Sequence, residues 1–188
     1  MMNHVPLDKA YRLLNTGAVI LVCTRDSQGA ANLAPLAWHC PLEMDPVTRV
    51  LMVCDLEHKT ASNIRETGKY VIAIPHASQV DLVTKAGSIS GYEVNKFDQL
   101  HIDAFESQLF GYPVPDGSLA YLECRLDTIL EEHDIILGTV LNAAVCAEAF
   151  QDRLLAETPA GKTLHHLGEG KFMIPGDKLY DDHDHNRS

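Results

Sequence analysis

From residue 18 onward the chain alternates short apolar runs with turn-forming residues. Ala18 to Thr24 is almost continuously apolar, Asp26 to Gly29 carries turn chemistry, and apolar positions return from Ala30 to Trp38, a pattern that predicts a two-stranded hairpin. Arg49 to Asp55 predicts a third strand, and Tyr70 to Ile74 a fourth, halted by Pro75. Leu119 to Glu131 and Ile135 to Ala147 are long and rich in β-branched residues, and the polar break at 132–134 makes them a wide antiparallel hairpin.

Helical spacing is confined to short stretches. Leu7, Ala10, Tyr11 and Leu14 repeat as one helix face, predicting a helix from Leu7 to Asn15 that ends before Gly17 and packs across one end of a barrel. Thr60 to Thr67 predicts a helix stopped by Gly68, and Ser78 to Lys85 has helical periodicity. Ala86 to Phe97 (AGSISGYEVNKF) is a glycine-punctuated loop leading into a short polar helix. Roughly six or seven strands without regular βα alternation favour a closed or split barrel over a doubly wound sheet, so the expected fold class is mainly β with short helices (α+β). No internal repeat is present. Residues 1–175 are expected to form one domain, and 176–188 an acidic, histidine-bearing tail whose end, DDHDHNRS, has no apolar anchor and is expected to be disordered.

The composition is that of a soluble globular chain: 188 residues with 46% hydrophobic side chains suffice for one substantial core. With 15 basic against 26 acidic residues the formal charge is −11, which argues against nucleic acid or an anionic membrane as partner and makes any phosphate site local. No apolar run approaches the roughly 20 residues of a membrane span, and no basic-then-apolar leader opens the chain, so the expected location is the cytoplasm. The five cysteines (Cys23, Cys40, Cys54, Cys124, Cys146) show no C-x-x-C or zinc-type spacing and read as free thiols in a reducing compartment. Cys40 differs in lying two residues after Trp38, where it either packs or touches a ligand.

The candidate chemistry concentrates in Asn32 to Trp38 (NLAPLAW) and Glu57 to Ile64 (EHKTASNI). A helix start carrying Lys59, Thr60, Ser62 and Asn63 presents unpaired N–H groups and a cation to an anion, and the preceding strand can lie along a planar ring. The same residues also suit a simple capped helix. Trp38, the single tryptophan, reads equally as core or as ring contact. His133, between Glu132 and Asp134, fits a solvated turn as well as a functional one. His165 and His166 are adjacent rather than three or four apart, and the tail histidines sit in a segment too loose for a closed site, so no metal is expected. Neither G-x-S-x-G nor H-E-x-x-H occurs.

Several short motifs recur in the order of one family: Asn32 to Trp38, Lys59-Thr60 with Asn63-Ile64, Ser90-Gly91 with Lys96-Phe97, Leu122-Glu123-Cys124, Glu132-His133-Asp134 with Gly138-Thr139-Val140, Leu164 to Gly168, and Gly170-Lys171-Phe172 as a final strand. Over about residues 5 to 175 the chain resembles the flavin reductase-like proteins with an FMN-binding split β-barrel, the group that includes flavoredoxins and the reductase components of two-component monooxygenases. The resemblance implies a homodimer that binds FMN, less often FAD, and exchanges reducing equivalents with NAD(P)H. It places the flavin ring against Pro35, Leu36, Ala37, Trp38, His39 and Cys40, with Asn32 on the same strand. The phosphate falls to Lys59 and Thr60 with Ser62 and Asn63 beside them, and Gly87, Ser90 and Lys96 lie near the flavin tail or the dinucleotide. His133 stands where relatives carry a histidine near the nicotinamide or flavin face.

Two departures stand out. Pro35 replaces the Thr or Ser more usual in relatives and removes a backbone donor, which implies an edge or bulged strand. Tyr92 stands where many flavoredoxins have Arg, so a fixed charge is lost and dinucleotide or phosphate binding is either weakened or replaced with stacking. The function implied is an oxidoreductase that passes reducing equivalents from NAD(P)H through bound flavin to free flavin, a metal chelate or a partner protein. A flavoredoxin-type electron carrier and a cofactor-free split-barrel binding module are the alternatives.

Overall fold

The computed structural model describes residues 4–14 and 17–177, so Asn15 of the expected first helix and the 181–188 tail lie outside it. Leu7–Leu13 form a 3-10 helix with no buried residue rather than an α-helix. There follow, in chain order, β1 (Ile20–Arg25), β2 (Ala31–Leu36), β3 (His39–Glu43), β4 (Arg49–Val53), α1 (Lys59–Thr67), β5 (Lys69–Pro75), α2 (Val80–Ser88) and α3 (Lys96–Gln99). The second half holds β6 (Ala104–Glu106), β7 (Pro113–Pro115), β8 (Ser118–Leu130), β9 (Ile135–Val145), β10 (Phe150–Gln151), β11 (Arg153–Leu154), β12 (His165–Gly168) and β13 (Lys171–Met173).

Seven strands form one antiparallel sheet in the order β2-β1-β5-β8-β9-β4-β3. The outermost strands, β2 and β3, are joined by Ala37 and Trp38 alone. Laid flat, seven strands about 4.8 Å apart would hold those edges roughly 29 Å apart. Three Cα steps reach only about 11 Å. The sheet must therefore curl until its edges meet, which makes a barrel split between β2 and β3. The apolar pattern runs unbroken across this corner, so it reads as one strand from 30 to 38; closure divides it at Leu36 and starts β3. The stretch read as a single final strand is likewise two, β12 and β13, reversing through Glu169 and Gly170 at φ 53° and 70°.

Two clusters fill the molecule. Ile20, Val22, Met52, Tyr70, Ile72, Cys124 and Ile136 point inward, joined by Ala61 and Ile64 of α1. The intervening Leu21, Cys23, Val71 and Ala73 face outward under Leu33, Val83 and Ala86, with Tyr112 and Val114 of the β7 region. Burial of β1 on both faces explains why its sequence is a continuous apolar run rather than an alternation. Gly138 of β9 answers a close approach: a Cβ there would stand 2.9 Å from Cζ of buried Tyr70 and 2.8 Å from the Arg125 carbonyl oxygen. The helix-ending role of Gly68 is realised at φ 67°, its N–H donating to the Ile64 carbonyl.

All five cysteines are free, with Cys23, Cys54 and Cys124 buried and Cys40 and Cys146 exposed. Burial pushes the Cys54 thiol up to about 11 and that of Cys124 to about 12, leaving both inert near neutral pH. Among the described residues no helix is long and apolar enough to cross a membrane.

Glu123, in the middle of β8, is fully buried and accepts hydrogen bonds from the Leu109 and Phe110 N–H groups at 2.9 and 2.6 Å and from Asn142 Nδ2 at 2.7 Å. Burial by itself raises its pKa, but the bonds from Asn142, Ser107, Leu109 and Phe110 outweigh this and hold the carboxyl below its ordinary value. A depressed folded-state pKa contributes stability above the unfolded value that is lost as pH falls through the folded one. Glu123→Gln, which turns an amide toward N–H donors, is expected to cost about 2–4 kcal/mol in urea unfolding at pH 7. The difference from the parent should shrink in acid below the ordinary glutamate range, and an unchanged difference would disprove the ionised-carboxylate role.

Candidate functional site

Two cavities meet beside β2 at the split. One, of about 590 Å³, is walled by Tyr11, Val19, Trp38, Val53, His166 and Phe172. The other, of about 340 Å³, is walled by Asn32, Lys59, Thr60, Ser90, Gly91 and Lys96. Pro35, Leu36, Gly87 and Ser88 line both, so the two form an apolar and a polar lobe of one groove. The edge position implied by Pro35 is observed: β2 pairs with β1 only. Helix α2 covers the junction so closely that a Cβ on Gly87 would stand 3.1 Å from Cγ of Pro35.

The polar lobe is built by α1, the β1–β2 turn and the loop before α3. His58 precedes α1 without a side-chain cap, and Thr60, instead of capping, receives the Asn32 amide N–H at 2.9 Å. Asn32 Oδ1 is buried and has no partner among the described residues. Gly91 is required here, since a Cβ would collide with the Asn32 side chain and come within 3.2 Å of Lys59 Cβ. Asn95 caps α3 through the Phe97 N–H at 3.0 Å, and this seats Lys96 inside, 5% exposed. Its Nζ donates to the Ala86 carbonyl at 2.7 Å with no carboxylate against it among the described residues, and burial lowers its pKa below 10.5. Lys59 is different: its Nζ lies 3.1 Å from Asp26 Oδ2 and 5.8 Å from the centre of the Tyr92 ring. The Lys59 hydrogen bond, helped by the Ala30 N–H, holds Asp26 below the usual carboxylate range.

The apolar lobe is framed by aromatic rings. Trp38 is half exposed rather than core, with Tyr11 edge-on at 6.0 Å, and Phe172 lies 5.3 Å from His166. Arg12 Nη1 meets Glu169 Oε1 at 2.8 Å across the mouth. These residues come together because the Val19 N–H donates to the Leu164 carbonyl and Ala18 pairs with His165, which zips residues 17–19 to β12.

Of the residues singled out in the sequence, Asn32, Pro35, Leu36, Ala37, Trp38, Lys59, Thr60, Gly87, Ser90 and Lys96 line the groove. Five do not. His39 bonds the Ala18 carbonyl through Nε2 at 2.8 Å, Cys40 is exposed opposite Leu51, and Ser62 lies further along α1. Asn63 is buried and bonds Thr24 at 3.0 Å, and His133 is exposed in the β8–β9 turn. The sequence does not mark Tyr11, Arg12, His166, Glu169 and Phe172 as site residues, although the LHHLG and GKF segments are among the family-like motifs, and it marks Asp26 only as a turn residue. Among the described residues no three His, Cys, Asp or Glu side chains cluster as a metal site.

An unsatisfied buried amide oxygen, two lysines and a helix start at one end, with flat aromatic walls at the other, suit a ligand with an anionic tail and a planar ring. A seven-stranded split barrel holding such a groove at its open edge defines the FMN-binding split-barrel class. Residues 12–163 match the flavin reductase like domain, and the chain belongs to that family. A protein of Escherichia coli (strain K12), the uncharacterized protein YddH, is 35% identical over 187 residues, covering 95% of this chain and 98% of its own. The crystal structure of an FMN-binding domain of a flavin reductases-like enzyme from Shewanella baltica OS155 is 30% identical with a TM-score of 0.82, covering 95% of this chain and 96% of that one. Flavoredoxin of Desulfovibrio vulgaris (Miyazaki F) shares the fold at 19% identity, with a TM-score of 0.84 and full coverage of both chains.

A buried ammonium facing only a carbonyl is costly to the fold and useful to an anion. Lys96→Met is expected to leave thermal stability unchanged or raise it by up to about 2 kcal/mol while weakening inorganic phosphate binding in calorimetric titration at least about fivefold. A large loss of stability would make Lys96 a structural residue instead.

Proposed function

We propose that the groove binds FMN, with the phosphate at Lys59, Thr60 and Lys96 and the ring along Pro35 to Trp38. The protein then passes reducing equivalents from NAD(P)H to free flavin, a metal chelate or a partner protein. The observation that carries this reading is the continuity of the two lobes through Pro35, Leu36, Gly87 and Ser88, which sets a cationic end and an aromatic end in one groove. The Shewanella baltica relative, described as an FMN-binding domain, supports it.

When bound, the flavin supplies the hydride and electron chemistry, and the chain's residues have only to hold and shield it. Lys96 and the α1 start neutralise the phosphate. Asn32 Oδ1 offers a buried acceptor to a hydroxyl or N–H of the ligand. Trp38, Tyr11 and Phe172 wall an apolar space beside the ring where a second flat molecule can stack in contact, which is the positioning that hydride transfer demands. None of these roles needs a general acid or base. We take the working form to be a homodimer, as in the resemblance noted above; the exposed Leu42, Met44, Leu141 and Val145 on and beside the sheet are apolar surface available for it.

The test is the spectrum of the purified protein after supply of FMN, with the bound chromophore identified by mass, then anaerobic addition of NADH and NADPH. Stoichiometric FMN absorbance that bleaches within seconds is expected. Bands that persist would make the protein an electron carrier, and a colourless protein would refute flavin binding. Lys59→Ala is expected to weaken FMN about tenfold, about 1.4 kcal/mol, with riboflavin unaffected in fluorescence titration.

A further inference from the structure

We propose that Asp26 is an internal counter-anion of the ligand site: its carboxylate holds the Lys59 ammonium that a phosphate ester would otherwise meet bare, so the phosphate binds in competition with an ion pair. The proposal rests on the reading of Lys59 as a phosphate contact and extends it to the kind of ligand the site serves, a flavin phosphate that exchanges rather than one permanently held.

The geometry separates two jobs within one side chain. Asp26 Oδ1 accepts the Gln28 and Ala30 N–H groups at 3.0 and 2.9 Å and builds the β1–β2 turn. That work needs one oxygen and no charge, and asparagine does it equally well. Oδ2 takes no part in the turn and lies 3.1 Å from Lys59 Nζ. Because Oδ1 is fixed by two backbone donors, the carboxylate cannot swing aside; any rearrangement on ligand binding falls to the lysine. Its other neighbour is the Tyr92 ring, 5.8 Å from Nζ, a weak cation acceptor that lets the ammonium shift without losing all its partners.

Both side chains are largely shielded, Lys59 at 22% and Asp26 at 16% exposure, so their attraction, and the repulsion between Asp26 and an incoming phosphate, is not screened away as on an open surface. Lys96 makes the contrast within the same lobe. Among the described residues it has no carboxylate partner, and it attracts the anion without competition. The lobe thus holds one uncompensated and one compensated cation, and the second limits affinity.

The experiment is titration of FMN and of riboflavin, followed by quenching of flavin fluorescence, for the parent protein, Asp26→Asn and Lys59→Ala. Asp26→Asn is expected to tighten FMN about tenfold and slow its dissociation, with riboflavin changed less than about twofold, since removing one charge near a phosphate is worth about that much at partly screened distances. Should the asparagine variant fail to fold, Asp26→Ser, which also leaves an oxygen for the turn, carries the same expectation. Weaker or equal FMN binding by the Asp26 variants, alongside a Lys59→Ala variant that does lose FMN, would overturn the role of Asp26 and leave the phosphate site standing. Equal tightening of FMN and riboflavin would also overturn it. If Lys59→Ala leaves FMN binding untouched, the phosphate assignment itself fails.

Discussion

The structure depends on a link of two residues. Because Ala37 and Trp38 must join the two outer strands of a seven-stranded sheet, the sheet has no flat form available and closes on itself. Closure turns β2 into one lip of the split, and that in turn admits Pro35, whose missing N–H would break a ladder anywhere but at an edge. It also forces Trp38 out of the core at the corner. The position of the groove is thus a by-product of how the barrel shuts, and α2 and the loop before α3 need only roof it. Gly87 and Gly91 let them come close enough to do so.

Charge is distributed with similar economy. In a chain of net charge −11 the described arginines lie against carboxylates: Arg49 with Glu43 and Asp127, Arg65 with Glu131, Arg12 with Glu169. Lys96 is withdrawn from that pattern, held by a carbonyl in a pocket that lowers its pKa. An acidic protein can therefore keep its surface repellent to polyanions and still hold a positive interior point for a small one. Solvation sets this contrast, since the same lysine on the surface would be screened and paired.

What was legible in the sequence is what local chemistry decides. The β1–β2 hairpin followed from Asp26 to Gly29, the end of α1 from Gly68, and the β8–β9 hairpin from two β-branched runs around a polar turn. β3 was not legible, because the apolar pattern passes through Ala37 and Trp38 without a mark and only tertiary closure breaks it. For the groove, the Asn32–Trp38 and Lys59–Thr60 segments could be picked out because a helix start with a lysine has a recognisable use. Tyr11, Arg12, His166 and Phe172 could not, since their segments read only as a helix face and a final strand and they meet the groove only through pairing of residues 17–19 with 164–166, nearly 150 positions away. Asp26 was half read: its first oxygen serves the adjacent turn, while its second reaches 33 residues along the chain.

That same long-range zipper has a consequence for biosynthesis. The polar lobe is complete once the chain has been made as far as Lys96, but the apolar lobe lacks its outer wall until His166 and Phe172 have left the ribosome. The two ends of the groove are therefore completed at different points of synthesis, the polar end within residues 32–96 and the aromatic end only with residues 166–172.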